Sequence, residues 1–369
     1  PPPPPPPTPP PPTPTPTPQH SSAASDVYKR QVYVSDVSHL MDNKERPFSD
    51  TVVAVSDIGA RNYGFRVDAG FEFGSNNFFF GTDYEHILKD GDRIKTKILE
   101  PTMPSMSEKL WNDAQTQNNG LFILYGRQFG KLKLDAALRM DFNRANSSIL
   151  SLVKMGNEVY RDEDVESSYT NISASAGIQW ELNEKILLKM ALGRGVRSPD
   201  MNERFLMFLP IGYDNYDYLG NPQLKPEANN EFDLSGEFTT PVGCKLVAGG
   251  FFSYVTDYIT GQLVPESVAK PQTKGVYGVK QFYNEDHVYL YGFELTYNTN
   301  PSWNWGLNIR AASTWGINPE TSMYIIEDGE VTGQETVAND PLPEIPPLEG
   351  AVNFYYRFFE GKLVPALNV

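Results

Sequence analysis

A two-residue alternation of apolar and polar side chains runs through long segments of this chain and constrains its fold more than any other feature. In residues 131–142, KLKLDAALRMDF, the even positions are apolar and the odd positions are mostly charged. The same split recurs in residues 172–182 and 62–73. Because successive side chains of a β-strand point to opposite faces, each segment predicts a strand with one apolar face and one polar face.

The connections between these segments alternate in length. Short turns occur at residues 74–77, 129–130, 183–185, 239–243, 299–303 and 360–361. Long polar stretches lie between them, at about residues 39–61, 89–117, 143–167, 197–229, 259–286 and 316–348. An up-and-down barrel whose two rims face different compartments produces this alternation, and we expect about thirteen strands in this chain.

The same pattern favours a barrel that crosses a membrane. A soluble β-sandwich with one solvent-exposed face also has strands that alternate between apolar and polar residues. However, segments of about 9 to 15 residues are longer than the strands of typical soluble sheets. No apolar run long enough for a membrane-spanning helix occurs in the sequence. The predicted fold class is therefore all-β, an antiparallel up-and-down transmembrane β-barrel with its apolar positions facing lipid and its charged positions facing inward.

The N-terminal segment does not share this pattern. Residues 1–18 contain only Pro and Thr, which form an extended chain without a core. The following SSAASDVYKRQ has no periodicity and looks like a translated adapter. We therefore expect residues 1–31 to be disordered and artefactual, and residues 32–369 to form the barrel.

Residues 191–238 contain the most specific motif of the chain. A strand ends in Gly-x-Arg-Ser-Pro, a loop carries Glu and aromatic residues, and Gly-Asn-Pro-x-Leu-Lys-Pro-Glu leads into the next strand. This stretch resembles the barrel of TonB-dependent outer-membrane receptors, and residues 341–358 are similar to a later loop-to-strand step of those barrels. The matching positions are Gly195, Arg197, Ser198, Pro199, Glu203, Gly220, Asn221, Pro222, Leu224, Lys225, Pro226 and Glu227.

The resemblance implies a receptor of the bacterial outer membrane that takes up a scarce ligand by energy-coupled transport. Family members carry an N-terminal plug domain and an energy-coupling box before a barrel of roughly 22 strands that closes on a terminal aromatic residue. This sequence shows neither plug nor box and ends in LVPALNV. We interpret it as an incomplete barrel whose partners are membrane lipid, a metal ion or metal chelate, and the TonB energy-coupling complex, reached through the missing plug.

The string SHLMDN at residues 38–43 suggests which ligand is transported. On an extended backbone His39 and Met41 point the same way, and imidazole with thioether suits copper, especially Cu(I). The spacing alone is weak evidence, because chance produces it roughly one time in ten in a chain of this composition. However, the string also resembles the copper-receptor branch of the family, in which a barrel His-x-Met completes a site with a Cys and a Met of the plug. We predict copper as the cargo and no catalytic cofactor.

Most methionines are predicted to lie in the long connections, namely Met41, Met103, Met106, Met155, Met201, Met207 and Met323. We interpret Met103, Met106, Met201 and Met207 as candidates that face the ligand, although methionine also serves as packing filler. The long connections carry most of the net charge of −15. This charge favours a cation as ligand and disfavours anionic ferric chelates and nucleic acid.

Other functions are weaker alternatives. An iron-siderophore or cobalamin receptor would leave His39 and Met41 as ordinary loop residues, and a passive porin-like or adhesin barrel would need no energy coupling. An enzyme is disfavoured, because His86 and His287 have no nearby nucleophile motif. The single cysteine, Cys244, excludes an intramolecular disulfide and a Cys-rich zinc site.

Overall fold

The computed structural model describes residues 27–369 except residues 48, 155–156, 212–213 and 328–329. One short helix, α1 (Met201–Phe205), and one 3₁₀ turn (Phe359–Gly361) accompany the strands in this part of the chain. The strands are β1 (Val27–Asp42), β2 (Val52–Phe73), β3 (Asn76–Lys97), β4 (Met106–Phe129), β5 (Leu132–Asn146), β6 (Leu150–Lys154), β7 (Asn157–Asp162), β8 (Glu166–Asn183), β9 (Ile186–Arg197), β10 (Asp217–Leu219), β11 (Glu227–Thr239), β12 (Lys245–Val264), β13 (Val279–Asn298), β14 (Trp305–Glu327), β15 (Glu330–Pro341), β16 (Glu349–Tyr356) and β17 (Ala366–Asn368).

Thirteen strands form one continuous antiparallel path, in the order β1-β2-β3-β4-β5-β8-β9-β11-β12-β13-β14-β16-β17. β15 pairs with β14, β10 lies parallel to β13, and β6 and β7 form a separate hairpin. The all-β class, the up-and-down order and the number of strands are therefore confirmed. Across the described residues the path runs from β1 to β17 without closing, and no helix there is long and apolar enough to cross a membrane.

The boundary predicted after residue 31 falls inside β1. Most of the predicted disordered segment lies outside the described residues, which begin at residue 27. Residues 27–31 pair with residues 66–70 of β2 as part of the same ladder. The strand therefore starts earlier than the sequence pattern indicated, while the nature of the preceding residues stays a prediction.

The two faces of the sheet differ as the alternation predicts. Apolar side chains such as Leu192 and Leu234 are more than half exposed on one face. On the other face Arg139 lies 2.8 Å from Asp83 and 2.6 Å from Asp141 in two ion pairs. An exposed apolar surface is suited to contact with the hydrocarbon of a bilayer. Charged side chains that pair with each other are suited to an inner face away from lipid.

The sheet curves strongly around the connection between β9 and β11, residues 198–226, which we call the inner loop. Lys89 of β3 donates a hydrogen bond from Nζ to Oδ1 of Asn202 in this loop, at 3.0 Å. Asn221 donates from Nδ2 to the carbonyl oxygen of Phe282 in β13, also at 3.0 Å. Six strands separate β3 from β13 along the sheet, so one loop can contact both only if the sheet wraps around it.

The prediction of strand lengths was wrong. β2, β3 and β4 have 22, 22 and 24 residues, so much of the predicted connections 39–61 and 89–117 is strand. Similarly, the predicted connection 316–348 is largely a hairpin of β14 and β15. Roughly 9 to 11 residues suffice to cross a membrane, so these strands extend beyond the apolar band, where side chains such as Ile58 and Trp111 pack in a buried cluster with the inner loop. The pairing continues there while the alternation fades.

Candidate ligand-binding mouth

The inner loop fills the mouth of the barrel at the end where the long connections lie. It places five consecutive apolar or cationic side chains, from Arg204 to Phe208, in nearly complete burial. Residues 205–208 pack in one cluster with Ile58 of β2, Trp111 of β4 and Phe282 of β13. Burial of several large apolar side chains is worth about 1.5–3 kcal/mol each, so this cluster is the main force that holds the loop inside the barrel.

A capping box starts the loop. Oδ1 of Asp200 accepts hydrogen bonds from the backbone N–H groups of Asn202 and Glu203, at 2.7 and 2.8 Å. In return, Oε2 of Glu203 accepts from the backbone N–H of Asp200 at 2.6 Å. These reciprocal bonds satisfy donors that a helix start otherwise leaves unpaired, and they fix α1 directly after the end of β9.

Arg197 ties both ends of the inner loop together. Its Nη1 donates to Oε2 of Glu203 at 2.7 Å, and its Nη2 lies 3.5 Å from Oε2 of Glu227, the first residue of β11. Burial raises the pKa of Glu203, and the hydrogen bond from Arg197 opposes that rise. Glu227 also accepts from the backbone N–H of Ile259 at 2.9 Å. The arginine therefore neutralises two carboxylates at the point where the loop leaves and rejoins the wall.

Gly220 lies where the inner loop folds back against α1. A Cβ atom at this position would lie 2.6 Å from the carbonyl carbon of Arg204 and from the backbone nitrogen of Phe205. No real Cβ approaches backbone atoms so closely, so only glycine fits. The N–H of Gly220 donates to the carbonyl of Leu206 at 2.6 Å, and the N–H of Asn221 donates to that of Glu203 at 2.8 Å.

The remaining signature positions also anchor the loop. Oγ of Ser198 accepts from Nδ2 of Asn171 at 2.7 Å, and the carbonyl of Leu224 accepts from the hydroxyl of Tyr169. The backbone N–H of Lys225 donates to Oδ1 of Asn284 at 2.9 Å. Pro199 and Pro222 are buried, and Pro226 is half-buried. The signature that carried the family resemblance is thus largely the set of contacts that docks the inner loop.

Arg204 is a feature that sequence reasoning missed. Its side chain is fully buried, and it donates from Nη1 to Oγ of Ser167 at 3.1 Å and from Nη2 to Oδ1 of Asn143 at 2.8 Å. Burial lowers the pKa of Arg204 to about 10. A fully buried arginine is rare, and a cation directly before the apolar run FLMFLP was the available signal.

The structure places His39 and Met41 within β1 rather than at its junction with a loop. His39 is exposed and pairs with Ile58, while Met41 is half-buried, pairs with Ser56 and packs against the mouth cluster. Two residues further along, Asn43 lines a cavity of about 240 Å³ together with Met103 and Met106. Three of the methionine candidates therefore lie along one stretch of the mouth.

The other methionines have different surroundings. Met201 and Met207 are buried in the mouth cluster, which accounts for their position through packing. Met106 is the first residue of β4 and Met323 lies in β14 rather than in loops, while Met155 lies outside the described residues. Within the described part of the chain, no group of three or more His, Cys, Asp or Glu side chains is placed to hold a metal ion.

Comparisons with known proteins agree with this architecture. A family model described as "TonB dependent receptor-like, beta-barrel" matches residues 19–367. The solved structure of the copper transporter OprC is 20% identical, with a TM-score of 0.67 over 90% of this chain and 47% of that one. The ferric yersiniabactin uptake receptor FyuA from Yersinia pestis is 12% identical, with a TM-score of 0.62 over 94% and 47%.

A third solved structure, the FrpB iron transporter from Neisseria meningitidis in its apoprotein form, is 12% identical. Its TM-score is 0.57 over 92% of this chain and 48% of that one. The chain thus spans about half the length of these solved proteins. At such identities the likeness concerns the fold alone. No curated protein matches the chain.

Proposed function

Because the chain belongs to the TonB-dependent receptor β-barrel family, we propose that it is the barrel part of an outer-membrane receptor that takes up copper by energy-coupled transport. The family resides in the outer membrane of Gram-negative bacteria and consists of receptors and transporters. In this proposal outer-membrane lipid surrounds the exposed apolar face, and the TonB complex acts through a plug domain.

The observation that carries copper is the pair of soft donors on β1 at the mouth. His39 and Met41 share one face of this strand, as alternate residues do, and Met41 packs against the mouth cluster. Thioether and imidazole groups favour copper over hard cations such as Mg²⁺ or Ca²⁺. The similarity to a copper transporter is consistent with this choice.

The inner loop closes much of the mouth in this structure, so cargo would have to pass beside it or displace it. His39 is exposed, whereas Met41 contacts the cluster that the loop helps to form. A metal held between these two side chains would lie at the border between solvent and the docked loop. We propose that this border is where copper first binds, with the remaining ligands supplied by the plug.

The test is the copper content of the intact receptor, purified after loading with Cu(I). His39→Ala removes the imidazole, and Met41→Leu removes the thioether while it keeps the packing volume. The double variant should lose at least half of the bound copper. Met190→Leu serves as the matched control, because it removes a thioether from the exposed face of β9, far from the mouth.

Unchanged copper stoichiometry in the double variant would remove the metal-site hypothesis. In that case an iron-siderophore or cobalamin receptor is the next candidate, since the similar structures include iron transporters. Binding of a ferric chelate by the same purified receptor would then support that alternative. Loss of copper from Met190→Leu to the same extent would show that the assay reports on general damage.

A further inference from the structure

The cavity beside Met103 and Met106 has a composition that a copper site does not explain. It lies between the outer ends of β2, β3 and β4 and the connection from β12 to β13, residues 265–278. Among the described residues, four cations line it, Arg93, Lys95, Lys97 and Lys274, and no carboxylate does. A metal cation would be repelled from such a lining, so the cavity calls for a ligand of the opposite charge.

The carboxylates that pair with these cations only partly balance them. Glu108 is buried behind the lining and pairs with both Arg93, at 2.9 Å, and Lys95, at 2.6 Å. Glu100 pairs with Lys97 at 3.3 Å on the solvent side, and Lys274 donates from Nζ to Oγ1 of Thr51 at 2.9 Å. Because one carboxylate, Glu108, serves both Arg93 and Lys95, this group has a net positive charge beside a partly enclosed space.

Lys97 is held loosely by its carboxylate partner. Its Nζ lies 3.3 to 3.4 Å from the two carboxylate oxygens of Glu100 and 3.5 Å from Sδ of Met103. Both carboxylate contacts are long compared with charged hydrogen bonds of about 2.7–2.9 Å. The ammonium group can therefore turn toward a ligand in the cavity and gain shorter hydrogen bonds than it has now.

The rest of the lining is apolar. Met103, Met106, Pro104 and Val52 complete the walls opposite the lysines. A fully polar ligand such as inorganic phosphate would leave these side chains without partners, whereas a ligand with a hydrocarbon part would bury them. Thioether side chains adapt well to flat or irregular apolar ligands. The volume of about 240 Å³ is slightly below the usual range for drug-sized ligands, so the ligand is small.

We propose that this cavity binds a small organic anion, whose carboxylate meets Lys97 and Lys274 and whose apolar part packs on Met103 and Met106. Lys274 belongs to the connection between β12 and β13, whereas Lys97 ends β3. A bound anion would therefore join that connection to β3 and β4 across the mouth. This inference stands independently of the copper proposal, because it uses neither His39 nor Met41.

The experiment follows the methyl groups of methionine by NMR in the intact receptor in detergent micelles. Benzoate is the probe, inorganic phosphate is the comparison anion, and sodium chloride at equal ionic strength controls for screening. Benzoate should shift the Met103 and Met106 signals and leave those of the buried Met201 and Met207 unchanged. Phosphate should bind more weakly than benzoate, because it cannot pack on the thioethers.

Two variants separate a binding site from general attraction to a cation. The double substitution Lys97→Gln and Lys274→Gln should weaken benzoate binding by about tenfold or more, because it removes the charged hydrogen bonds to the carboxylate, which are roughly twice as strong as neutral ones. Lys44→Gln is the matched control, because Lys44 is an exposed lysine of the same rim that pairs with Asp42 outside the cavity.

Four results would overturn the proposal. The first is no shift of Met103 and Met106 at millimolar benzoate, and the second is an equal shift with sodium chloride. The third is an equal loss of binding in Lys44→Gln and in the double variant. Tighter binding of phosphate than of benzoate would also overturn it, because the apolar wall would then have no part in recognition. Copper stoichiometry plays no role in any of these outcomes.

Discussion

At the scale of single residues, the inner loop depends on a few positions whose chemistry cannot be exchanged. Arg197 joins the carboxylates of Glu203 and Glu227, and a planar guanidinium can hold two carboxylates where a lysine ammonium acts as one point charge. Gly220 permits a backbone approach that any side chain would block. These residues were found in the sequence as a family signature, and the structure shows that they act by docking the loop.

Gly220→Ala should release the inner loop. The added Cβ would meet backbone atoms at 2.6 Å, and such overpacking costs about 1–3 kcal/mol. Limited digestion of the folded receptor with trypsin measures the effect, because Arg204 is fully buried in the docked loop. Cleavage after Arg204 should become roughly tenfold faster or more, since proteolysis follows the population of the open form.

The matched control is Gly195→Ala in the same signature. A Cβ at Gly195 would meet nothing within 4 Å, so its cleavage rate should equal that of the unchanged receptor. Equal rates in all three proteins would contradict the steric account of Gly220.

At the scale of elements, each strand serves two environments along its length. One portion alternates between an exposed apolar face and a charged inner face, and the outer portion packs partly against the inner loop through side chains such as Ile58 and Trp111. The outer ends of β3 and β4 supply Arg93, Lys95, Lys97 and Met106 to the cavity, while β9 and β11 carry the inner loop between them. Extension of the strands past the lipid thus builds the mouth.

The exposed face of β11 should not tolerate charge. Leu234 is 52% exposed near the middle of this strand, and an arginine on the lipid face near the bilayer midplane costs about 2–4 kcal/mol. Leu234→Arg should lower the free energy of unfolding by that amount, measured by denaturant titration of the receptor in lipid bilayers.

Asp233→Arg is the paired variant, one position earlier and on the opposite face. It places a cation near Glu231, which lies on the same face of β11, and its cost should stay below about 1 kcal/mol because no lipid is displaced. Equal losses of stability in the two variants would argue against lipid on the Leu234 side.

At the scale of the whole molecule, the proposed transport requires a partner for the inner face. The inner wall is charged, with Arg139 between Asp83 and Asp141, and the chain matches about half the length of solved receptors. Both observations are consistent with a barrel that surrounds a plug. We expect the complete gene to encode a plug domain and an energy-coupling box upstream of this barrel. The sequence of that gene tests this expectation. Their absence there would favour a passive porin-like or adhesin barrel.

Charge differs between the whole molecule and one cavity of the mouth. The long connections are acidic in sum, whereas the described residues that line the cavity include four cations and no acid. Net charge sets long-range attraction, which is screened beyond about 10 Å, whereas a site is decided by the few groups that line it. An acidic surface and a cationic cavity can therefore occur in the same mouth.

The sequence by itself determined the strands, their two faces, the alternation of short and long connections, and the position of the signature that docks the inner loop. These features are local, because the period of two and the turn residues act within a few positions of the chain. Only the tertiary structure decided how far the strands extend, that Met201, Met207 and Arg204 are buried, and that Lys97 and Lys274 share a cavity with Met103. Arg93 and Thr273, which are hydrogen-bonded beside that cavity, are 180 residues apart in sequence. No local pattern encodes such a meeting, because it depends on how the whole sheet curves.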